Sequence, residues 1–346
     1  MTSSQKTVKG GGKVKAKFWG TRGSVASPLV AKQVQDKLLD VMSDYDLMMR
    51  TTPSQPLNYT DFLNRLPFWK RGTYGGNTSC VEVDCGGRRI VLDMGTGVRL
   101  LGNSLFPEML KNKGIELTFL LSHVHWDHIQ GLPFFGPLYV NKGTGVRNSW
   151  SFYGGTDWMR QIEPCLRGQM DPPNFPVSWE EIKKITHEMR SADLVDMLSF
   201  NVGDVLVKTR KLNHPQETYG WRIEYDHKVV VYTTDNEPYD PLCPDPKLLE
   251  LARESDLWIT DCQYTKDVYE GKVGGVPRHG WGHSYPEAVA QTAVQANVRK
   301  VALFHHDPGS SDEAIYNMEE FVRKLILEKG GKSEVVAAHE GLEIVL

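Results

Sequence analysis

Polar and apolar positions change period several times along this chain, and each change marks an element. Val14, Ala16 and Phe18 alternate with Lys13, Lys15 and Lys17, which predicts a strand over Val14–Gly20. From Leu29 to Met49 the spacing turns helical, with Val34, Leu38, Leu39, Val41 and Met42 recurring and neither Gly nor Pro interrupting. A shorter helix is predicted over Thr60–Leu66, with Thr60 as N-cap and Pro67 as the stop. After the glycine-rich loop Gly72–Thr78, strands are predicted at Ser79–Asp84, Arg89–Leu92 and Leu117–Leu121, with a helix over Val98–Asn112 before the last.

The second half reads as strands Asp204–Lys211, Tyr219–Glu224 and Lys228–Thr233, followed by regular alternation. Helices Pro246–Glu254, Tyr285–Ala296 and Asp312–Glu328 interleave with strands Leu257–Thr260, Val301–Phe304 and Ser333–Ala337. Two packed sheets covered by helices accommodate that order. No short-period repeat and no linker of distinct composition divides the chain. The expected organisation is one domain over 1–346, with 1–13 a loose tail and 29–71 a helical insertion.

Composition narrows the class without naming it. Of 346 residues, 40% are hydrophobic and 24% charged, which is ordinary for a globular chain and unlike a disordered one. A net charge of −3 gives no general surface for nucleic acid or membrane. No apolar run approaches the ~20 residues of a membrane span, and Met1–Lys17 lacks the apolar core of a signal peptide. Cys80, Cys85, Cys165, Cys243 and Cys262 are odd in number and irregularly spaced, which fits free thiols and a cytoplasmic location.

Chemistry concentrates in His123, Val124, His125, Trp126, Asp127 and His128, directly after the apolar run Leu117–Leu121. An extended run points alternate side chains one way, so His123, His125 and Asp127 converge, and a helix start brings His128 beside them. Imidazole and carboxylate together suit zinc, with manganese or iron as alternatives. Further ligands are expected at strand ends, where a rigid sheet presents them to a shared cleft. His214 after Val205–Lys211, Asp235 after Val229–Thr234, and His305 after Val301–Phe304 occupy such ends.

This set, in this order, resembles the metallo-β-lactamase superfamily over about Lys15 to Leu346. The resemblance implies an αβ/βα four-layer sandwich with a two-metal site along one edge. It assigns His123, His125 and His214 to one metal, Asp127, His128 and His305 to the other, and Asp235 as the bridge. Asp93, in Leu92-Asp93-Met94-Gly95, matches the superfamily's structural strand-end aspartate. Asp261-Cys262-Gln263-Tyr264 and Gly280-Trp281-Gly282-His283-Ser284 resemble the phosphodiesterase branch, which includes tRNase Z and phosphoribosyl cyclic phosphodiesterases. There Asp261 would orient His283, which would stabilise the transferring phosphoryl group or protonate the leaving oxygen, with Asp127 assisting proton transfer from water.

The resulting expectation is a two-metal hydrolase of a small phosphodiester, such as a cyclic nucleotide or cyclic phosphate, with two zinc ions and a homodimeric assembly. Alternatives are an RNA-processing enzyme of tRNase Z type, a thioester or lactone hydrolase, a diiron redox enzyme, or a metal-dependent regulatory protein without turnover. The long basic arm of a typical long-arm tRNase Z is missing, so nucleic acid is not favoured. Segments 29–71 and 142–200, the latter with Trp150, Phe152, Trp158, Phe175 and Trp179, are candidates for a lid or dimer surface, although core packing suits most of these aromatics. Arg22, the Asn77-Thr78-Ser79 loop, Arg278 and His279 are candidates for substrate contact, and His306, held by Asp307, for supporting the metal ligands. His187, His227 and His339 have no motif around them.

Overall fold

Strands that bury both faces set the layers of this molecule. The computed structural model describes residues 12–52, 57–140, 142–186, 188–193, 199–240 and 242–346; the tail expected over 1–13 falls outside it up to residue 11, as does His187. In chain order the first strands are β1 (Val14–Gly20), β2 (Cys80–Cys85), β3 (Arg88–Leu92), β4 (Glu116–Leu120), β5 (Ser149–Tyr153), β6 (Glu188–Ala192) and β7 (Ser199–Val202). They continue as β8 (Val205–Lys211), β9 (Tyr219–Tyr225), β10 (Lys228–Thr233), β11 (Leu257–Asp261), β12 (Lys300–Phe304), β13 (Glu334–Ala337) and β14 (Glu343–Val345). One sheet runs β14-β1-β2-β3-β4-β5-β6, and the other β13-β12-β11-β10-β9-β8-β7.

Period-two alternation sends side chains to opposite faces of each sheet. Ile90, Leu92, Leu120, Val230, Tyr232, Ile259 and Phe304 meet between the sheets, together with Phe18 and Trp221. Their neighbours Val91, Leu117, Phe119, Val231, Trp258 and Leu303 face outward, onto helices. Against the first sheet lie α4 (Val98–Asn112), α6 (Glu163–Met170) and α7 (Trp179–Ile185); against the second lie α8 (Pro246–Ala252), α10 (Pro286–Gln295) and α11 (Asp312–Glu328), with the short α9 (Lys266–Tyr269) between α8 and α10 in the chain. Each large side chain sealed this way contributes about 1.5–3 kcal/mol of transfer free energy. The result is the four-layer αβ/βα sandwich that the resemblance implies. Parallel pairs β3–β4, β10–β11 and β11–β12 end together, which places their C-terminal residues on one edge.

The structure corrects several expectations. Strands β5, β6 and β7 are absent from the hydrophobic pattern, because β6 and β7 carry no fully buried residue and β5 interrupts its aromatics with Ser149 and Ser151. Trp150, Phe152, Trp158 and Trp179 do not form a lid or dimer surface; all four are buried against the first sheet. Phe175 is partly buried there too. The second helix of the excursion starts at Tyr59, and its cap is Asn58 rather than Thr60, because the Asn58 side chain accepts from the Asp61 N–H at 2.9 Å.

The excursion between β1 and β2 holds α1 (Ala31–Thr51), α2 (Tyr59–Arg65) and α3 (Phe68–Arg71). No residue of α1 is buried, although Leu38 and Met42 are 60% and 64% exposed on an apolar stripe. Polar ties hold it instead. Lys37 Nζ lies 2.9 Å from Asp312 and donates to the Gly72 carbonyl at 2.8 Å, while Lys70 pairs with Asp44. Two substitutions separate these regimes. Trp221→Ala, in the sealed inter-sheet layer, is expected to cost about 3–5 kcal/mol in urea unfolding, and Leu38→Ala less than about 0.5 kcal/mol. Equal losses would show that α1 is covered in solution.

Candidate metal centre

The six-residue cluster begins where β4 ends. Ser122 turns the chain there, donating from its N–H and hydroxyl to the two oxygens of Asp93 at 2.7 and 2.8 Å. His125 keeps extended backbone, and α5 (Trp126–Ile129) begins immediately after it, so the run bends into a helical turn as its residue types suggest. Asp93 sits at the end of β3, fully buried, and also accepts from Tyr232 at 2.7 Å and from His128 Nδ1 at 2.8 Å. Its work is to fix the His128 ring.

Three overlapping groups of donor atoms gather at the sheet edge, each with ligand atoms mutually within 4.8 Å, and one of them, Asp235, Asp261, His283 and His305, shares residues with the other two. Of those two, His123, His125, His214 and Asp235 form one, and Asp127, His128 and His305 the other. Asp235 lies between them. Its Oδ1 is 3.7 Å from His123 Nε2 and 3.9 Å from His214 Nε2, whereas its Oδ2 is 3.2 Å from His128 Nε2 and 3.3 Å from His305 Nε2. All the metal candidates read from the sequence are thus brought together.

The hydrogen bonds around these rings leave nitrogens free for cations. His128 Nδ1 is hydrogen-bonded to Asp93 and His305 Nδ1 to Gln263 Oε1 at 2.9 Å, so in each ring Nε2 is the nitrogen left facing the cleft, where it can ligate once its proton is displaced. Those two nitrogens lie 3.2 Å apart, and Asp127 Oδ2 is 3.2 and 3.0 Å from them. In the first group His123 Nε2 is 2.9 Å from His125 Nδ1, and the buried His214 Nε2 has no hydrogen-bond partner among the described residues. An orphaned buried nitrogen is costly unless a metal occupies its lone pair, so the donor set fits divalent cations.

Electrostatics point the same way. Burial pushes His123 well below the ordinary imidazole value and His214 down to about 4, leaving neutral rings ready to ligate. Burial opposes charge on Asp127 and Asp235 as well, yet His128 and His305 hold both carboxyls well below their usual range. His128 is raised well above its ordinary value: desolvation is outweighed by Asp127, Asp235 and Asp93. The pocket is therefore short of positive charge.

Beside both groups stands a second pair. His283 Nδ1 donates to Asp261 Oδ2 at 2.7 Å and lies 3.9 Å from Asp235 Oδ1. Asp261 is itself pinned by the N–H groups of Ser284 and Gln263 at 2.9 and 3.1 Å. Burial alone would lower His283, but the Asp261 charge and hydrogen bond raise it to about 9.

Other residues prove structural, or prove important without a motif. Arg22 is buried and donates to the carbonyls of Gly75, Asp307 and Ser310, so it braces loops rather than facing a ligand. Asn77 is likewise bound to Glu340. His306 donates to the Ala338 carbonyl at 2.8 Å, not to Asp307, and His279 meets the Tyr269 ring edge to face. Ser24 and Glu237 carry no local signature, and Gln263 lies in the Asp261–Tyr264 motif without a role of its own read from the sequence. Ser24 N–H donates to Asp127 Oδ2 at 2.7 Å. Glu237 accepts from Tyr269 and from the N–H groups of Gly280 and Gly282, clamping the loop that carries His283.

Comparison with known proteins agrees with this architecture. The family model for the beta-lactamase superfamily domain matches residues 88–306. A ribonuclease Z of Limosilactobacillus reuteri is 25% identical over 261 residues, which cover 63% of this chain and 78% of that protein. Unliganded yeast PDE1 superposes with a TM-score of 0.60 at 12% identity, covering 96% of this chain and 99% of its own. The short form of human tRNase Z gives 0.54 at 16% identity, over 95% and 98%. At those identities the two structures establish a shared fold.

One glycine offers a sharp test of the loop. Gly282 and Gly280 both have left-handed backbone, with φ of +87° and +77°, so alanine strains either, but a Cβ at Gly282 would also sit 1.9 Å from the His214 ring whereas one at Gly280 would meet nothing within 4 Å. Gly282→Ala is expected to weaken zinc binding at least about tenfold more than Gly280→Ala, which carries the backbone strain without the clash, as measured by competition with a chromogenic chelator.

Proposed function

The chain belongs to the beta-lactamase superfamily, and from that membership we propose that it hydrolyses a small phosphodiester with two divalent metal ions bound. His123, His125 and His214 would hold one ion and Asp127, His128 and His305 the other, with Asp235 shared. Zinc suits this mixture of imidazole and carboxylate, and manganese or iron can take the same ligands. When bound, such cations supply Lewis-acid charge to the phosphoryl oxygens and ease deprotonation of the attacking water.

The observation that carries the proposal is the buried Asp261–His283 pair. Phosphodiester cleavage needs a proton for its leaving oxygen as well as charge on the equatorial oxygens. Asp261 fixes the His283 tautomer at Nδ1, so the opposite ring nitrogen, Nε2, is the one that delivers the proton. Asp127 takes the proton of the attacking water at Oδ1, since Oδ2 already accepts from Ser24. A thioester or lactone hydrolase has less need of a carboxylate-oriented imidazole at this place.

RNA cleavage is the second reading, favoured by the similarity to the Limosilactobacillus ribonuclease Z. Against it stand the net charge of −3 and the absence from the sequence of a long basic arm to grip a folded RNA. Among the described residues no helix is long and apolar enough to cross a membrane.

Metal-loaded protein is expected to turn over bis-para-nitrophenyl phosphate. His283→Ala is expected to lose about 10²–10⁴-fold in kcat while keeping its metals by elemental analysis. No turnover by protein that retains both metals, or an unchanged rate in the variant, would contradict the proposal. Faster cleavage of a precursor tRNA than of any small diester would favour the second reading.

A further inference from the structure

A cavity of about 350 Å³ adjoins the reaction centre, and its lining includes Gln263, Tyr264, Val268, Arg278, Ile315 and Met318. Resting on the phosphodiesterase reading, we propose that it receives the nucleoside of a mononucleotide substrate, with Arg278 as the residue that recognises it.

Position comes first. Gln263 is a shared wall: its Oε1 accepts from His305 and its Nε2 donates to Ser24 Oγ at 3.3 Å. Tyr264 is another, with its ring centroid 5.7 Å from that of His283 and nearly perpendicular to it. A group attached to a phosphate at the metal centre therefore needs only a short reach to enter.

Chemistry comes next. Arg278 is half-buried and, among the described residues, forms no ion pair; its Nε is sequestered from solvent without a hydrogen-bond partner. The guanidinium lies 4.3 Å from the centroid of the Trp281 ring and 6.0 Å from that of Tyr264. An unneutralised planar cation among aromatics offers a stacking surface and unused donors to a flat, acceptor-rich ring. Val268, Ile315 and Met318 supply apolar contact, while Asp307 and Ser310 add polar groups for ring edges or ribose hydroxyls. Such a mix of apolar wall and few polar groups is that of a small-molecule site. The volume lies near the lower end of the ~300–1,000 Å³ typical of such sites, which suits one nucleoside and not a run of stacked bases.

The Glu237 clamp adds specificity to the same loop. By gripping the N–H groups of Gly280 and Gly282, it fixes the segment between Arg278 and His283. Base recognition and proton delivery are thus mounted on one rigid element.

The test uses the full metal-loaded chain with two substrate types: a panel of 3′,5′- and 2′,3′-cyclic mononucleotides, and methyl para-nitrophenyl phosphate, which has no nucleoside. Arg278→Ala removes the cation; Ala314→Trp, on the exposed part of the α11 rim, fills the cavity. Both variants are expected to raise KM for the preferred cyclic nucleotide at least tenfold and to leave kcat/KM for the methyl ester within twofold. Equal losses on both substrates, no change on either, or turnover of the ester with no cyclic nucleotide accepted would overturn the subsite. If neither substrate is cleaved, the phosphodiesterase reading fails by itself. Calorimetric binding of nucleoside 5′-monophosphates then decides the subsite: binding lost in both variants upholds it, and none by wild type overturns it.

Discussion

Too many acceptors around too little positive charge is the constraint on which this structure depends. Asp93, Asp127, Asp235 and Asp261 are all buried at one sheet edge. Isolated carboxylates in such a place would take up protons rather than stay charged. Here the surrounding imidazoles hold Asp127 and Asp235 well below the usual carboxylate range, and ring nitrogens of those imidazoles crowd against one another at 2.9 and 3.2 Å. A protein that maintains such an arrangement has a place for cations. The carboxylates raise His128, which stands beside three of them, while burial lowers His123 and His214.

Holding that arrangement needs backbone as well as side chains. Ser24, Asp93, Asp235 and His305 all adopt left-handed backbone, with φ of 63°, 60°, 52° and 58°. Non-glycine residues enter this region at a cost of order 1 kcal/mol each, and such strain gathers where function demands it. The two sheets supply the compensation: their parallel strands end in register, and the sealed layer of Phe18, Trp221, Tyr232 and Phe304 allows little relaxation. Glycine is required where backbone meets ligand. A Cβ at Gly23 would fall 2.4 Å from the His305 ring, and at Gly282 it would overlap His214.

Much of this was legible in the sequence, for a physical reason. Metal ligands belong to strand ends, and strand ends are marked by where an apolar run stops, so His214, Asp235 and His305 could be picked out beside the dense run at 123–128. The pairing of Asp261 with His283 was legible through resemblance, not periodicity. Gln263, Ser24 and Glu237 were not legible, since each acts through a contact to a distant segment: Gln263 to His305, Ser24 to Asp127, Glu237 to the glycine loop. Strands β6 and β7 escaped because edge strands bury little and leave a weak alternation. Arg22 and His306 resembled site residues by type and neighbourhood, but backbone carbonyls satisfy them.

Anomalous diffraction at the zinc edge from crystals of the zinc-loaded protein addresses the central claim most directly. The account predicts two peaks, one among His123, His125 and His214, the other among Asp127, His128 and His305, with Asp235 between them. A single peak, or zinc bound elsewhere while these residues keep only each other, would contradict it.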